Sequence, residues 1–250
     1  DKIVEPFGTV LLPEIHEHYT MQKKIAGKDY YVYDFALPML LINALYYGQT
    51  QYLKNWLRIC PRKQFTTLDT HDGIGVVDVK DLLPDEEIER TKEDIFKYGA
   101  NVKKIYNTAA YNNLDIYQVN CSYYSALGDD DKAYLLARAV QLFAPGIPQI
   151  YYVGLLAGQN DLKLLEETKV GRNINRHYYT IEEIDDEIKR PVVQSLLDLM
   201  RFRNTHRAFD GSFELEECDD KHLVIVRKNG GDFARLVADF ESKEFEITHS

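Results

Sequence analysis

Near-continuous apolar runs alternate with amphipathic segments along the first two-thirds of the chain. "TVLLPEI" (Thr9 to Ile15), "YYVYDFAL" (Tyr30 to Leu37), "QFTTLDT" (Gln64 to Thr70) and "PQIYYVG" (Pro148 to Gly154) have the length and β-favouring content of buried strands. Helical patterns fall between them, at Pro38 to Tyr47 and at Gln51 to Ile59, where Leu53, Trp56 and Leu57 recur at helical spacing. "DDDKAYLLARAVQLFAPG" predicts a helix with an acidic start and a Pro145-Gly146 stop. Further helices are expected from Asn160 to Thr168 and from Arg190 to about Asn204. In the second of these, Val193, Leu196, Leu197 and Met200 share one face.

Strands and helices alternating in this way build a parallel sheet covered by helices, and a (β/α)8 barrel is one such solution. With about four strands, the barrel would be a half. From Phe213 the period changes. "SFELEE", "HLVIVRK", "FARLVADF" and "EFEITH" alternate in and out between Asp/Asn/Gly turns, which predicts a small antiparallel sheet. The stretch from Ile74 to Leu127 is the least regular, with charged runs followed by a tyrosine-rich tract. In a barrel it would be a long insertion on the face where active sites form.

The formal net charge of -10, with no basic block, argues against nucleic acid or an anionic membrane as partner. No apolar run approaches the roughly 20 residues of a membrane helix. "FALPMLLINALYY" is the longest, and Pro38 and Asn43 interrupt it. No signal peptide is visible, and the missing initial methionine leaves room for an upstream start. Cys60, Cys121 and Cys218 lack CxxC spacing and suit a reducing compartment, so a cytoplasmic protein is expected.

Ionisable groups gather at three expected strand ends: Glu14 in "LLPEIHEHY", His71-Asp72 in "TTLDTHDGIG", and Arg172 in "VGRNINRHYY". Strand ends of a parallel barrel converge, so these residues would face one substrate. Two carboxyl groups beside an arginine suit glycosidic chemistry, one protonating a leaving oxygen while carboxylates stabilise an oxocarbenium-like centre. Each residue alone has a structural alternative: a cap or salt bridge for Glu14, a plain hydrogen bond for His71-Asp72. The H-x-H pair His16 and His18, with Asp72, also offers a metal reading. It lacks further histidines at later strand ends, so no metal is expected. No GxxxxGK[ST] or GxGxxG occurs, so a phosphate would be held by side chains such as Arg172 and tyrosines.

Taken together, "LLPEIHEHY", "YYVYDFALPMLL", "TTLDTHDGIGVVDV", "YNNLDIYQVNCSYYSALGDDD", "APGIPQIYYVGLLAG" and "GRNINRHYY" resemble the sucrose phosphorylase family of the α-amylase (family 13 glycoside hydrolase) superfamily. "THDG" alone would indicate only the superfamily. The longer motifs are specific to the phosphorylase branch, and the resemblance covers nearly the whole chain. It implies a partial (β/α)8 TIM barrel, strands 5–8, with an inserted loop-rich subdomain and a small carboxyl-terminal antiparallel β domain. Residues 1–73 would carry barrel strands 5–7, 74–128 the insertion with an acceptor-site loop, 129–208 the last strand and its helices, and 209–250 the β domain.

The resemblance further implies that Glu14 is the general acid/base and Asp72 a transition-state stabiliser that forms no covalent bond. His71 and Arg172 would fix the glucosyl ring. Asp115, Tyr117 and Gln118 would line the acceptor site, with Tyr117 suited to phosphate or fructose. The implied reaction is sucrose plus phosphate giving α-glucose 1-phosphate plus fructose, with retention and with no cofactor. Gly73 and Gly75 are expected to let the chain turn sharply into the insertion.

Two departures stand out. The family's nucleophilic aspartate lies in an "RLDAF"-like motif, and these 250 residues contain none, so the chain resembles a carboxyl-terminal half. Alone it is expected to be poorly stable, through open strand edges, and inactive. Asn173 stands where the family pattern has aspartate, and no role follows for it. Related alternatives are phosphorylases of sucrose 6′-phosphate or glucosylglycerate, but "AAYNNLDIYQVN" has no basic residue to meet their added charge. A hydrolase and a catalytically inactive truncated product are the others. A homodimer is left open.

Overall fold

A computed structural model describes residues 3, 5–99 and 118–250. Asp115 and Tyr117 lie outside the described residues.

Three short parallel strands form the first sheet: β1 (Val32–Asp34), β2 (Gln64–Thr66) and β5 (Ile147–Pro148), in the order β1-β2-β5. Asp34 pairs with Thr66 in register, and Thr66 with Pro148. The expected strand at Thr9 to Ile15 does not form. That segment is irregular and partly exposed, with Glu14 and Leu11 open to solvent. A strand needs a ladder partner, and the described residues offer this segment none. The strand expected at Pro148 to Gly154 also gives way early, to a helical turn, α7 (Tyr152–Leu155).

Helices α2 (Leu37–Tyr47) and α3 (Gln51–Ile59) follow β1. Leu37 to Leu45 of α2 are buried without interruption, and Trp56 and Leu57 of α3 join the same core. Both elements are fastened to Asp34 at the end of β1. Trp56 Nε1 donates to its two carboxylate oxygens at 3.1 Å, the Leu37 amide donates at 3.1 Å and Gln64 Nε2 at 3.2 Å.

Among the described residues no cation joins these donors, and burial pushes the Asp34 carboxyl up from 3.8 to about 6. Ionising it in the fold therefore costs on the order of 3 kcal/mol relative to water. The folded chain binds this proton more tightly than the unfolded chain, so stability falls as pH rises from 3.8 through about 6. Denaturant titrations across that range are expected to show the decline in the parent and a flatter profile in Asp34→Asn. An equal slope in both would remove Asp34 as its source.

The stretch after β2 is more regular than its sequence suggests. β3 (Ile74–Gly75) pairs antiparallel with β4 (Gln118–Val119), and α4 (Asp85–Lys97) lies between them in sequence. Helix α4 starts after Pro84 with Asp85, Glu86 and Glu87 in its first turn, favourable to the helix dipole. Asn43 of α2 ties it down, donating to Glu87 at 3.0 Å and Thr91 at 2.9 Å. The loop-rich insertion is thus partly helical.

Helices α5 (Tyr123–Ala126) and α6 (Asp131–Phe143) then lead into β5. Beyond α7 come α8 (Leu162–Thr168), α9 (Ile181–Glu187) and α10 (Pro191–Thr205). The chain ends in the expected antiparallel sheet: β6 (Ser212–Glu216), β7 (His222–Asn229), β8 (Asp232–Asp239) and β9 (Glu244–His249), paired in that order. It is docked by Arg227, which donates to the Phe209 carbonyl at 2.9 Å, and by Thr50 Oγ1, which donates to the Asp220 carbonyl at 2.8 Å. Cys60 and Cys121 are buried, and burial pushes both thiols up to about 12. Among the described residues, no helix is long and apolar enough to cross a membrane.

Candidate active site

The segment beyond β2 carries Thr70, His71 and Asp72 out of the sheet, and polar contacts from a later part of the chain fix its shape. A 3-10 turn at Gly171–Asn175 lies over it. Asn175 Nδ2 donates to the Asp72 carbonyl at 2.7 Å and the Thr70 carbonyl at 3.0 Å, while Arg176 Nε donates to the His71 carbonyl at 2.7 Å. The backbone beneath His71-Asp72 is therefore held by "RNINR" as well as by the strand.

Asp72 is nearly buried, and two guanidinium groups and an imidazole surround its Oδ1. Arg172 Nη1 lies at 2.9 Å, Arg176 Nη2 at 3.5 Å and His71 Nε2 at 3.7 Å. His71 itself is largely exposed, at 62% for its side chain. Gln118 lies on the other flank, where its Oε1 accepts from the Gly73 amide at 3.4 Å.

Gly73 and Gly75 serve close approach here rather than a left-handed turn. A β-carbon on Gly73 would fall 2.7 Å from the Val119 carbonyl oxygen, and one on Gly75 would fall 2.2 Å from Asp78 Oδ2.

Glu14 arrives on the irregular segment before α1 (Tyr19–Ala26), with its side chain 54% exposed. One carboxylate oxygen lies 3.4 Å from His16 Nε2. Glu14, His16 and Asp72 each place a polar atom within 4.8 Å of the others. That spacing would suit a cation, but Asp72 already faces the Arg172 guanidinium and His16 lies against a second carboxylate, Asp78. The pocket's negative charge is thus met by the chain's own cations. His18, the other histidine of "HEH", turns away to cap α1 and to meet Asp81 Oδ2 at 3.0 Å.

The structure therefore gathers Glu14, His71, Asp72, Gln118 and Arg172 at one end of the parallel sheet. It adds three residues that sequence reasoning missed, Arg176, Asn175 and Asp78, and it places His16, singled out there only as a possible metal ligand, beside Glu14. Asn173 points elsewhere, donating to Thr168 Oγ1 at 2.9 Å. Chemically the site offers an accessible carboxyl group and a nearly buried carboxylate clamped by guanidinium groups.

No family model matches the chain. Among characterised proteins it is 59% identical over 247 residues to a sucrose phosphorylase of Streptococcus mutans, a match covering 97% of this chain and 51% of that protein. It is 45% identical to a glucosylglycerol phosphorylase of Marinobacter adhaerens, again over 97% of this chain and 51% of the relative. The chain thus spans about half the length of the curated relatives it matches, the carboxyl-terminal half. Its structure superposes on sucrose 6F-phosphate phosphorylase from Thermoanaerobacter thermosaccharolyticum with a TM-score of 0.92 at 39% identity, covering 98% of this chain and 50% of that one. An α-amylase from H. orenii follows at a TM-score of 0.62, 14% identity and 96% and 45% coverage, a likeness of fold.

Proposed function

We propose that this chain, a homologue of the sucrose phosphorylases over nearly its whole length, is the acid/base-bearing half of an enzyme that phosphorolyses sucrose. One observation carries the reading. Glu14 and Asp72 come from separate segments, yet their carboxylates approach within 4.8 Å beside the Arg172 guanidinium.

In the first half-reaction a carboxylate nucleophile from outside these 250 residues attacks the anomeric carbon. Glu14 protonates the departing fructose oxygen. Asp72, oriented by Arg172 and Arg176, holds glucosyl hydroxyls more tightly as the ring flattens, which is differential binding of the transition state. In the second half-reaction phosphate enters where fructose left and attacks the glucosyl-enzyme, so configuration is retained. Phosphate is already acidic and asks little general-base help of Glu14. His71 and Arg172 border the glucosyl ring, and Gln118, with Asp115 and Tyr117, lines the acceptor side.

The three parallel strands are in this reading part of a (β/α)8 barrel, strands 5–8. The Thr9–Ile15 segment becomes its first strand when the preceding strand supplies a ladder. Neutral fructose is the acceptor that best fits a loop without lysine, arginine or histidine. The cytoplasm is the compartment that suits this chemistry and the free thiols.

The test is a fusion of this chain to the part of the Streptococcus mutans enzyme that lies outside the match. The fusion is expected to release glucose 1-phosphate only when sucrose and phosphate are both present, and the 250-residue chain alone to release none. Sucrose consumption independent of phosphate would favour a hydrolase. Faster turnover of sucrose 6′-phosphate would overturn the acceptor assignment.

A further inference from the structure

His16 lies between two carboxylates and against an aromatic ring, an arrangement the reaction scheme above leaves unused. Its Nε2 faces Glu14 Oε1 at 3.4 Å, and its Nδ1 faces Asp78 Oδ2 at 3.8 Å. The ring lies flat on Phe35, just beyond β1, with centroids 4.0 Å apart and planes 18° apart.

Asp78 sits in a 3-10 turn (Val77–Val79) after β3, and its side chain is fully buried. Gln22 of α1 donates to its Oδ1 at 3.3 Å. Its Oδ2, the oxygen turned to His16, has no hydrogen-bond partner among the described residues. Gly75 leaves the space that this oxygen occupies.

The chemistry of imidazole narrows what such a ring can be. A neutral histidine has one N–H and one lone pair, so between two ionised carboxylates it would set a lone pair against an oxygen on one side. Only the imidazolium presents a donor to both.

We propose that Asp78 is a positioning residue that holds His16 with Nδ1–H toward itself and Nε2–H toward Glu14, as a proton reserve for the general acid. The proton balance is simple. Glu14 gives its proton to the departing oxygen, which leaves as an alcohol. Nε2–H then passes to Glu14 Oε1, leaving a neutral ring whose Nδ1–H stays on Asp78. A proton from the entering phosphate restores the pair. The site thus keeps a proton at pH values where carboxylic acids in water have ionised. The use of that proton rests on the phosphorolytic reading; the state of the ring does not.

The charges around His16 agree with this arrangement. Burial by itself would lower its pKa, but Asp78 first, then Glu14 and Asp72, outweigh that and raise it above 6.5. Asp72 reaches the ring already compensated by Arg172 and Arg176. Burial raises the Asp78 carboxyl, and His16 partly offsets the rise.

Nitrogen-15 NMR of the histidine rings tests the proposal, on the chain and on the fusion, with His16 assigned by its loss in His16→Gln. Expected are a titration midpoint above 6.5 and, once neutral, a proton on Nδ1. In Asp78→Asn the midpoint should fall from that of the parent, since the largest raising contribution is lost while burial remains. A parent midpoint below 6.5, or a neutral ring protonated on Nε2, overturns the proposal without any variant. So does an unchanged midpoint in a folded Asp78→Asn. An inactive fusion whose His16 behaves as expected would count against sucrose phosphorolysis and leave Asp78 in its place.

Discussion

Replacing Arg138 by methionine is expected to cost about 3–5 kcal/mol of stability, the usual cost of orphaning one member of a buried ion pair. Arg138 projects from α6 with no exposed surface, and its Nη2 donates to Asp69 Oδ2 at 2.7 Å. The same guanidinium donates to Tyr134 Oη at 2.7 and 3.0 Å and to Gln141 Oε1 at 2.8 Å. Asp69 lies three residues before Asp72, and its Oδ1 already lacks a hydrogen-bond partner among the described residues. Without Arg138 it would be a buried carboxylate with no counter-charge.

The outcome is read by denaturant unfolding. Arg138→Met should be unfolded or aggregated where the parent gives a native transition, and Arg138→Met with Asp69→Leu should regain much of the loss. Two single variants whose costs simply add would show that the pair is not coupled. Gly154→Ala tests the same contact from a third side. Its β-carbon would fall 1.8 Å from Asp69 Oδ2 and 2.1 Å from Arg138 Nη2, so a loss of similar size is expected.

Asp69 and Arg138 also show where sequence reading stops. The helix of Arg138 is evident from its acidic start and Pro-Gly stop, and so is the segment of Asp69. Their pairing across 69 residues leaves no local pattern. The same holds for His16 and Asp78, which belong to an irregular segment and a 3-10 turn. By contrast, the four-strand meander follows from alternation and turn residues alone, because adjacent strands need only each other.

Thr9 to Ile15 fails for the opposite reason. Its apolar run meets the composition rule for a strand, but a strand's hydrogen bonds belong to its neighbours, and composition does not reveal whether a neighbour is there. Helix α4 was legible in "LPDEEIERTKEDIFK", with a proline before the first turn and acids within it. Its weight of charge disguised it as a loop. Motif resemblance suggested the roles proposed for Glu14 and Asp72, and the structure supplied the guanidinium groups that clamp Asp72.

Those two roles predict different failures in the fusion protein. Glu14→Gln is expected to lower the rate on sucrose by about 10²–10⁴, the usual worth of a positioned general acid. With an activated donor such as α-glucosyl fluoride the departing group needs no proton, so most of that loss should vanish. Asp72→Asn should be impaired on both donors, by about 10²–10³ or more, because stabilising the flattened ring is needed whatever leaves. The substitution also removes the charge that Arg172 meets at 2.9 Å, so glucosyl binding should weaken as well. Transient kinetics on both donors separate the two cases. If Glu14→Gln were equally slow with fluoride, Glu14 would not be the acid. A recovery of Asp72→Asn on fluoride would give Asp72 a part in leaving-group departure, contrary to the stabilising role proposed for it beside the two guanidinium groups.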